Sequence, residues 1–247
     1  KLEKDWITHP ILHLDLNIEK YDTLESLEKI LNDNLAYWES LYGTRPTETS
    51  FSLRFAGIIQ RACEQTGQRV VILVDEYDKP MLQAIGNEEL QKQFRDTLKP
   101  FYGALKTKDG YIKFALLTGV TKFGKVSVFS DLNNLDDISM WNEYIEICGI
   151  SEREIHENLE AELHEFAAAR GVTYDKICAE LKENYDGYHF THNSIGIYNP
   201  FSLLNAFKRK EFNSYWFETG TPTYLVKLLK KHHYDLERMA HEETDVQ

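Results

Sequence analysis

Nowhere does this sequence hold an apolar run close to the ~20 residues that cross a bilayer as a helix. Its first residues, Lys1-Leu2-Glu3-Lys4-Asp5, lack the apolar stretch of a signal peptide, so no membrane partner is expected. Cysteine is scarce as well. Cys63, Cys148 and Cys178 are odd in number, far apart and without paired ligand spacing. That excludes a disulfide framework and a cysteine-based zinc site, and leaves reduced thiols in a cytoplasmic protein as the expectation. Positive charge is the third shortage. With 28 Lys and Arg against 40 Asp and Glu, the net charge is −12, opposite in sign to the basic footprint of a nucleic-acid grip. Direct nucleic-acid binding by this segment is therefore not expected. The nine histidines scatter without metal-ligand grouping, and His232-His233 reads as a helix end whose dipole the rings favour. No nucleophile–base–orienter set can be picked out by spacing, nor any pair of carboxylates suited to glycoside hydrolysis.

What the sequence does hold is core material. At 42% hydrophobic and 13% aromatic residues, the chain can bury a substantial interior, and 247 residues fit one large domain or a domain with an appendage. Val70-Val71-Ile72-Leu73-Val74 is aliphatic without alternation and ends on Asp75-Glu76. A strand apolar on both faces is what a helix-covered parallel sheet needs at its centre. Ligands of such sheets gather outside the carboxyl ends of the strands, where Asp75 and Glu76 would stand. This is the arrangement of a Walker B strand, whose aspartate holds Mg²⁺ while a neighbouring acid orients the attacking water. A buried strand followed by a solvated acidic loop would read the same way. Asp78 reads as an exposed loop aspartate in preference to a further acidic neighbour of the pair.

Around that strand, Pro10–Leu16 reads as a strand. A helix follows, with Leu24, Leu27, Leu31, Leu35 and Trp38 at helical spacing and Asp22 with Glu25 as its capping box. A second helix runs from about Ser50 to a C-cap at Gly67. After the central strand, Asn87 caps a helix carrying Leu90, Phe94 and Leu98, with a kink or break expected at Pro100. Tyr111–Leu117 is a further strand, ending in Thr118-Gly119. Connections of this length imply right-handed crossovers and a parallel sheet. Thr118 stands where a polar side chain of an ATPase touches the terminal phosphate or the attacking water; alternatively it closes the strand by bonding its own turn.

Beyond Val120 the texture changes. Tyr144–Cys148 reads as a short strand, and a Ser151–Glu154 capping box opens a helix to Arg170, closed by Gly171. Another helix covers Tyr174–Tyr185, and Tyr188–Tyr198 reads as a small hairpin. Asn199-Pro200 and Thr221-Pro222 each open a helix with proline at the first helical position. The expected organisation is an α/β core over residues 1–150 and a mainly helical, lid-like subdomain over residues 151–247.

Gly119-Val120-Thr121-Lys122-Phe123-Gly124-Lys125-Val126 matches the first seven positions of G-x-x-x-x-G-K-[ST]. The eighth, which should supply a hydroxyl to Mg²⁺, is Val126, and Ser127–Asn134 does not open as a helix. The match reads as coincidence; the alternative is a permuted nucleotide hydrolase using Gly119–Val126.

With these residues laid out, the chain resembles the bacterial AAA-ATPase-like family, in which a P-loop ATPase module is commonly followed by a PD-(D/E)XK nuclease-like domain. The resemblance is carried by Val71–Pro80, Leu117–Phe123, Phe129–Leu135, Tyr185–Tyr188, Tyr198–Ser202 and Phe217–Pro222, in that order. It implies a P-loop-like parallel sheet flanked by helices, and binding of ATP with Mg²⁺. Asp75 would be the metal residue, with Glu76 and Thr118 in catalytic and sensor positions. It also implies that the Walker A loop and first strand lie upstream of Lys1, and a nuclease-like partner domain beyond Gln247. The segment alone is then expected to be inactive, while the intact protein hydrolyses ATP and couples this to the helical subdomain. The alternative expectation is a non-catalytic interaction module on the same fold.

Overall fold

The computed structural model describes residues 6–120, 128–129, 132–186, 189, 191 and 194–215. The chain divides into two compact units, Lys1–Leu135 and Asp136–Gln247. The first is a three-strand parallel sheet flanked by helices; the second is mainly helical with a small antiparallel strand pair. Among the described residues, no helix is long and apolar enough to cross a membrane.

The sheet of the first unit has the order β1 (Ile11–Asp15), β2 (Val70–Asp75), β3 (Ile112–Leu117), all parallel. Leu14 lies level with Val74, Val74 with Leu117, and Asp15 with Asp75. Among the described residues, three long helices supply most of the helical side of the core. Helix α1 (Leu24–Tyr42) buries Leu27, Ile30, Leu31, Leu35 and Trp38, spaced at three and four residues. Its N-cap is Thr23, whose hydroxyl accepts the Ser26 N–H at 3.4 Å. The expected Asp22 box is displaced by one residue because Thr23 takes the extended cap conformation, while Asp22 pairs with Lys20 at 2.8 Å. Helix α2 (Phe51–Thr66) begins at the Ser50 cap and stops at Gly67, whose φ of 67° is the left-handed conformation glycine takes without steric cost. Short α3 (Lys79–Gln83) leads to α4 (Glu88–Thr107), capped by Asn87.

Helix α4 runs unbroken through Pro100. The proline forfeits one backbone donor, but burial of Leu98, Phe101, Tyr102 and Leu105 on both sides of it outweighs the loss. Stacking of Trp38 on Phe55 (5.7 Å) and of Phe55 on Phe101 (4.5 Å) ties α1, α2 and α4 into one core.

That core covers one face of the sheet. Leu12, Leu14, Val70, Ile72 and Val74 are all at most 3% exposed. On the other face Ile11 is 57% and Phe114 53% exposed, with Val71, Leu73 and Leu116 half-buried between them. The central strand is apolar on both sides, yet only one side is fully buried.

In the second unit, Tyr144–Cys148 is not a strand. Its backbone donors close turns, Tyr144 N–H to Trp141 O and Ile147 N–H to Tyr144 O, both at 3.0 Å. The strand is β4 (Ile150–Ser151), antiparallel to β5 (Ile197–Tyr198), so Tyr198 pairs with a segment distant in sequence. Ser151 and Glu154 form the expected capping box. The helix it opens ends at Asn158, however, giving α5 (Glu152–Asn158) and α6 (Glu160–Arg170) around Leu159. Asn158 donates its side-chain amide to the Glu154 carbonyl at 3.0 Å, and Leu159 N–H reaches Ile155 O at 2.8 Å. Helices α7 (Tyr174–Tyr185) and α8 (Pro200–Arg209) complete a core of Leu163, Phe166, Ile177, Leu181, Leu203 and Phe207. The Thr221-Pro222 helix, His232-His233, most of the Tyr188–Tyr198 hairpin tip and Thr121–Val126 lie outside the described residues.

Candidate functional site

The parallel ladder brings three strand ends level. Asp15 and Asp75 are register partners on the last residues of β1 and β2, and Thr118 immediately follows β3. The ladder continues past the formal strand ends: Leu16 N–H donates to Asp75 O at 3.1 Å and Thr118 N–H to Val74 O at 2.9 Å. The Thr118 side chain does not serve its own turn. Its hydroxyl donates to the Asp75 carboxylate, so the residues at the ends of β2 and β3 are joined by side chains as well as backbone. Both are exposed, which leaves the pair open to a ligand.

Glu76 ends the strand. Its φ of 56° is left-handed, uncommon for a residue with a side chain, and its carbonyl accepts the Lys79 N–H at 2.9 Å to close a tight turn. Such a conformation persists only where the surroundings impose it. Here Tyr77 N–H is drawn to Thr118 O at 2.9 Å directly after the turn. Burial raises the Glu76 carboxyl above its ordinary range. Lys79 opposes the shift, while the charges of Asp78, Asp75 and Asp15 add to it. Lys79 itself donates to the Asn17 side chain, and Asn17 N–H to Asp15 Oδ1 at 2.7 Å, so the β1 end belongs to the same network.

Asp78 departs from its reading as an exposed loop residue. It is 0% exposed, because α3 packs Pro80 and Met81 into the core directly behind it. Its Oδ1 accepts the Val120 N–H at 3.2 Å. Gly119, between Thr118 and Val120, is needed for close approach: a Cβ there would stand 2.6 Å from Asp78 Oδ1 and 2.6 Å from the Tyr77 ring. From sequence, Asp78 reads as a loop residue in preference to an acidic neighbour of the site, and Gly119 only as the start of the Gly119–Val126 match. The available signal was an aspartate one residue before Lys-Pro, the pattern of a helix start.

Among the described residues, no group of three or more His, Cys, Asp or Glu side chains could hold a metal ion. A Mg²⁺ carried by a nucleotide does not need such a cage, since one or two carboxylates suffice beside phosphate and water oxygens. An exposed carboxylate with a hydroxyl beside it, Asp75 with Thr118, is a donor set that fits this mode of binding.

Residues 1–129 match the family described as "AAA-ATPase_like: Predicted AAA-ATPase". Over 226 residues, 91% of the chain, the sequence is 40% identical to a protein of Azotobacter chroococcum mcd 1 described as "Uncharacterized protein in vnfD 5'region". The matched stretch is 42% of that relative, so the chain spans less than half its length. No solved structure gives a significant match.

Proposed function

Because the chain belongs to the predicted AAA-ATPase family, we propose that the carboxyl ends of β2 and β3 form one half of an ATP hydrolysis site. The observation that carries this reading is the Thr118 hydroxyl held on Asp75, with Glu76 turned aside at the next residue. In this reading Asp75 contacts the Mg²⁺ of MgATP, and the ion supplies charge neutralisation at the phosphates. Glu76 orients the attacking water and accepts its proton, a role favoured by the raised proton affinity that burial gives it. Thr118 holds the Asp75 carboxylate in place and presents its oxygen toward the terminal phosphate.

The phosphate-holding half is proposed to come from a Walker A loop outside these 247 residues. Two observations support that. The apolar sheet face carrying Phe114 and Leu73 is incompletely covered, and among the described residues β3 pairs only with β2. Gly119–Val126 is a poor candidate for the loop, because Gly119 closely approaches Tyr77 and Asp78 and the Val120 N–H is already bonded to the Asp78 carboxylate. We further propose that nucleotide turnover repositions the mainly helical unit and, through it, a nuclease-like domain elsewhere in the full-length protein. This last step is supported by the family resemblance alone.

The test is ATP turnover by the full-length protein. Removing a general base typically costs ~10²–10⁴ in rate, so Glu76→Gln should lower kcat by about that much while MgATP binding persists. Turnover indifferent to Glu76→Gln overturns the assignment. MgATP binding without turnover in the wild-type protein would identify a non-catalytic module instead.

A further inference from the structure

The side chain of Asp78 sits where it has an ordinary task available and does not perform it. Asp78 occupies the N-cap of α3, yet its carboxylate makes no cap hydrogen bond to that helix. It reaches instead across to the segment after β3, accepting the Val120 N–H at 3.2 Å. A carboxylate removed from water is costly unless its partners are worth the burial, and Asp78 is 0% exposed. The segment it holds is short and joined at every step. Thr118 N–H donates to Val74 O and Thr118 O accepts Tyr77 N–H, both at 2.9 Å. Gly119 lies flat against Tyr77 and Asp78, and Val120 ends on the Asp78 carboxylate.

We propose that Asp78 is a positioning residue of the site described above: it fastens the chain after β3 to the chain after β2, and so keeps the Thr118 hydroxyl on Asp75. The inference rests on the ATPase reading for its consequence, but not for its structural content. Removing the carboxylate leaves Val120 N–H without this acceptor and loosens Thr118–Val120 from Tyr77. Thr118 then no longer presents its hydroxyl at a fixed place, and the orientation of Asp75 is lost with it. The Asp78 side chain touches neither nucleotide nor metal in this scheme; it acts through Thr118.

Two measurements on the full-length protein separate this role from a general contribution to folding. The first is hydrogen exchange. In Asp78→Ala, exchange at Val120, Thr118 and Tyr77 should rise by ~10-fold or more while Ile72, in the middle of β2, stays protected, as expected of local opening. Unchanged exchange at Val120 overturns the proposal. So does a rise shared equally by Ile72, because the carboxylate then serves the whole fold. The second is a double-substitution cycle on ATP turnover. Asp78→Ala and Thr118→Val should each lower kcat by ~10-fold or more with little change in MgATP affinity, and the double variant should be no slower than the worse single one. Asp78→Asn, which keeps an acceptor oxygen for Val120, should recover most of what alanine loses. Multiplicative effects in the cycle overturn the proposal. Absence of turnover in the wild-type protein counts against the ATPase reading, while the exchange experiment still decides the positioning role.

Discussion

Thr118 can be removed from Asp75 without disturbing the fold, because both side chains are exposed while the backbone bonds of Thr118 are independent of its hydroxyl. Thr118→Val should therefore change stability by less than ~1 kcal/mol, the net worth of an exposed hydrogen bond. Urea unfolding checks that half. ATP turnover of the full-length protein should fall by ~10–100-fold, in line with losing one aligned electrostatic contact to the reacting groups. A different residue pair tests electrostatics away from the site. The Arg54 guanidinium donates to both carboxylate oxygens of Glu39, at 2.7 and 2.8 Å, and this hydrogen bonding holds the Glu39 carboxyl below its usual range against the opposing effect of burial. A carboxyl lowered on folding contributes stability that is fully present above its unfolded value, near ~4.3, and is lost as pH falls through its folded value. Glu39→Gln should thus cost about 1–2 kcal/mol at pH 7 and progressively less as pH falls below the unfolded value, read from urea midpoints across that acid range. Asp75 and Glu76 were legible at this scale because an aliphatic strand ends on them. Asp78 was not, since a polar residue after a strand reads as loop, and its burial depends on α3 packing behind it.

Elements declare themselves in this chain through their caps more reliably than through their middles. Ser50, Gly67, Asn87, Ser151, Gly171 and Asn199 all stand at helix ends where their side-chain or backbone chemistry points. Interiors were harder. Pro100 is a breaker by local rules, but α4 passes through it because four buried side chains flank it. Conversely, the stretch from Ser151 to Arg170 has no proline or glycine, yet is interrupted at Leu159. Tyr144–Cys148 has strand composition but spends its donors on turns. At Pro100 the decision was made by packing partners distant in sequence, such as Phe55 stacked on Phe101, which propensity does not contain. The caps carry a direct prediction. Ser151 accepts the Glu154 N–H at 3.4 Å while Glu154 accepts the Ser151 N–H at 3.0 Å. Ser151→Ala should destabilise the second unit by ~1 kcal/mol, the usual worth of an N-cap. A change below ~0.3 kcal/mol in its thermal or urea transition would show that β4 pairing, rather than the cap, fixes the start of α5.

At the scale of the molecule, the feature that most needs explaining is a sheet of which, among the described residues, only one face is fully buried. Parallel strands are normally buried on both faces, and Val70–Val74 is written for that: its alternate residues are all aliphatic. The two-sided character was legible in the sequence. What the fold adds is that α1, α2 and α4 bury the Leu12, Ile72 and Val74 side, while Ile11 and Phe114 on the other side remain more than half exposed. Such an apolar surface in water favours association, so the 247-residue chain should bind a hydrophobic dye such as ANS and self-associate in sedimentation. Phe114→Lys decides whether the face is used. In this chain the substitution replaces an exposed ring by a solvated amine, so it should reduce dye binding and association while changing stability by less than ~0.5 kcal/mol. If the full-length protein covers the face, as the proposed phosphate-loop segment requires, the same lysine must be buried or must expel its cover. The cost there should be about 2–4 kcal/mol in denaturant unfolding. An equal and small effect in both proteins would mean that nothing settles on this face, and the phosphate-holding half of the site would have to be sought elsewhere.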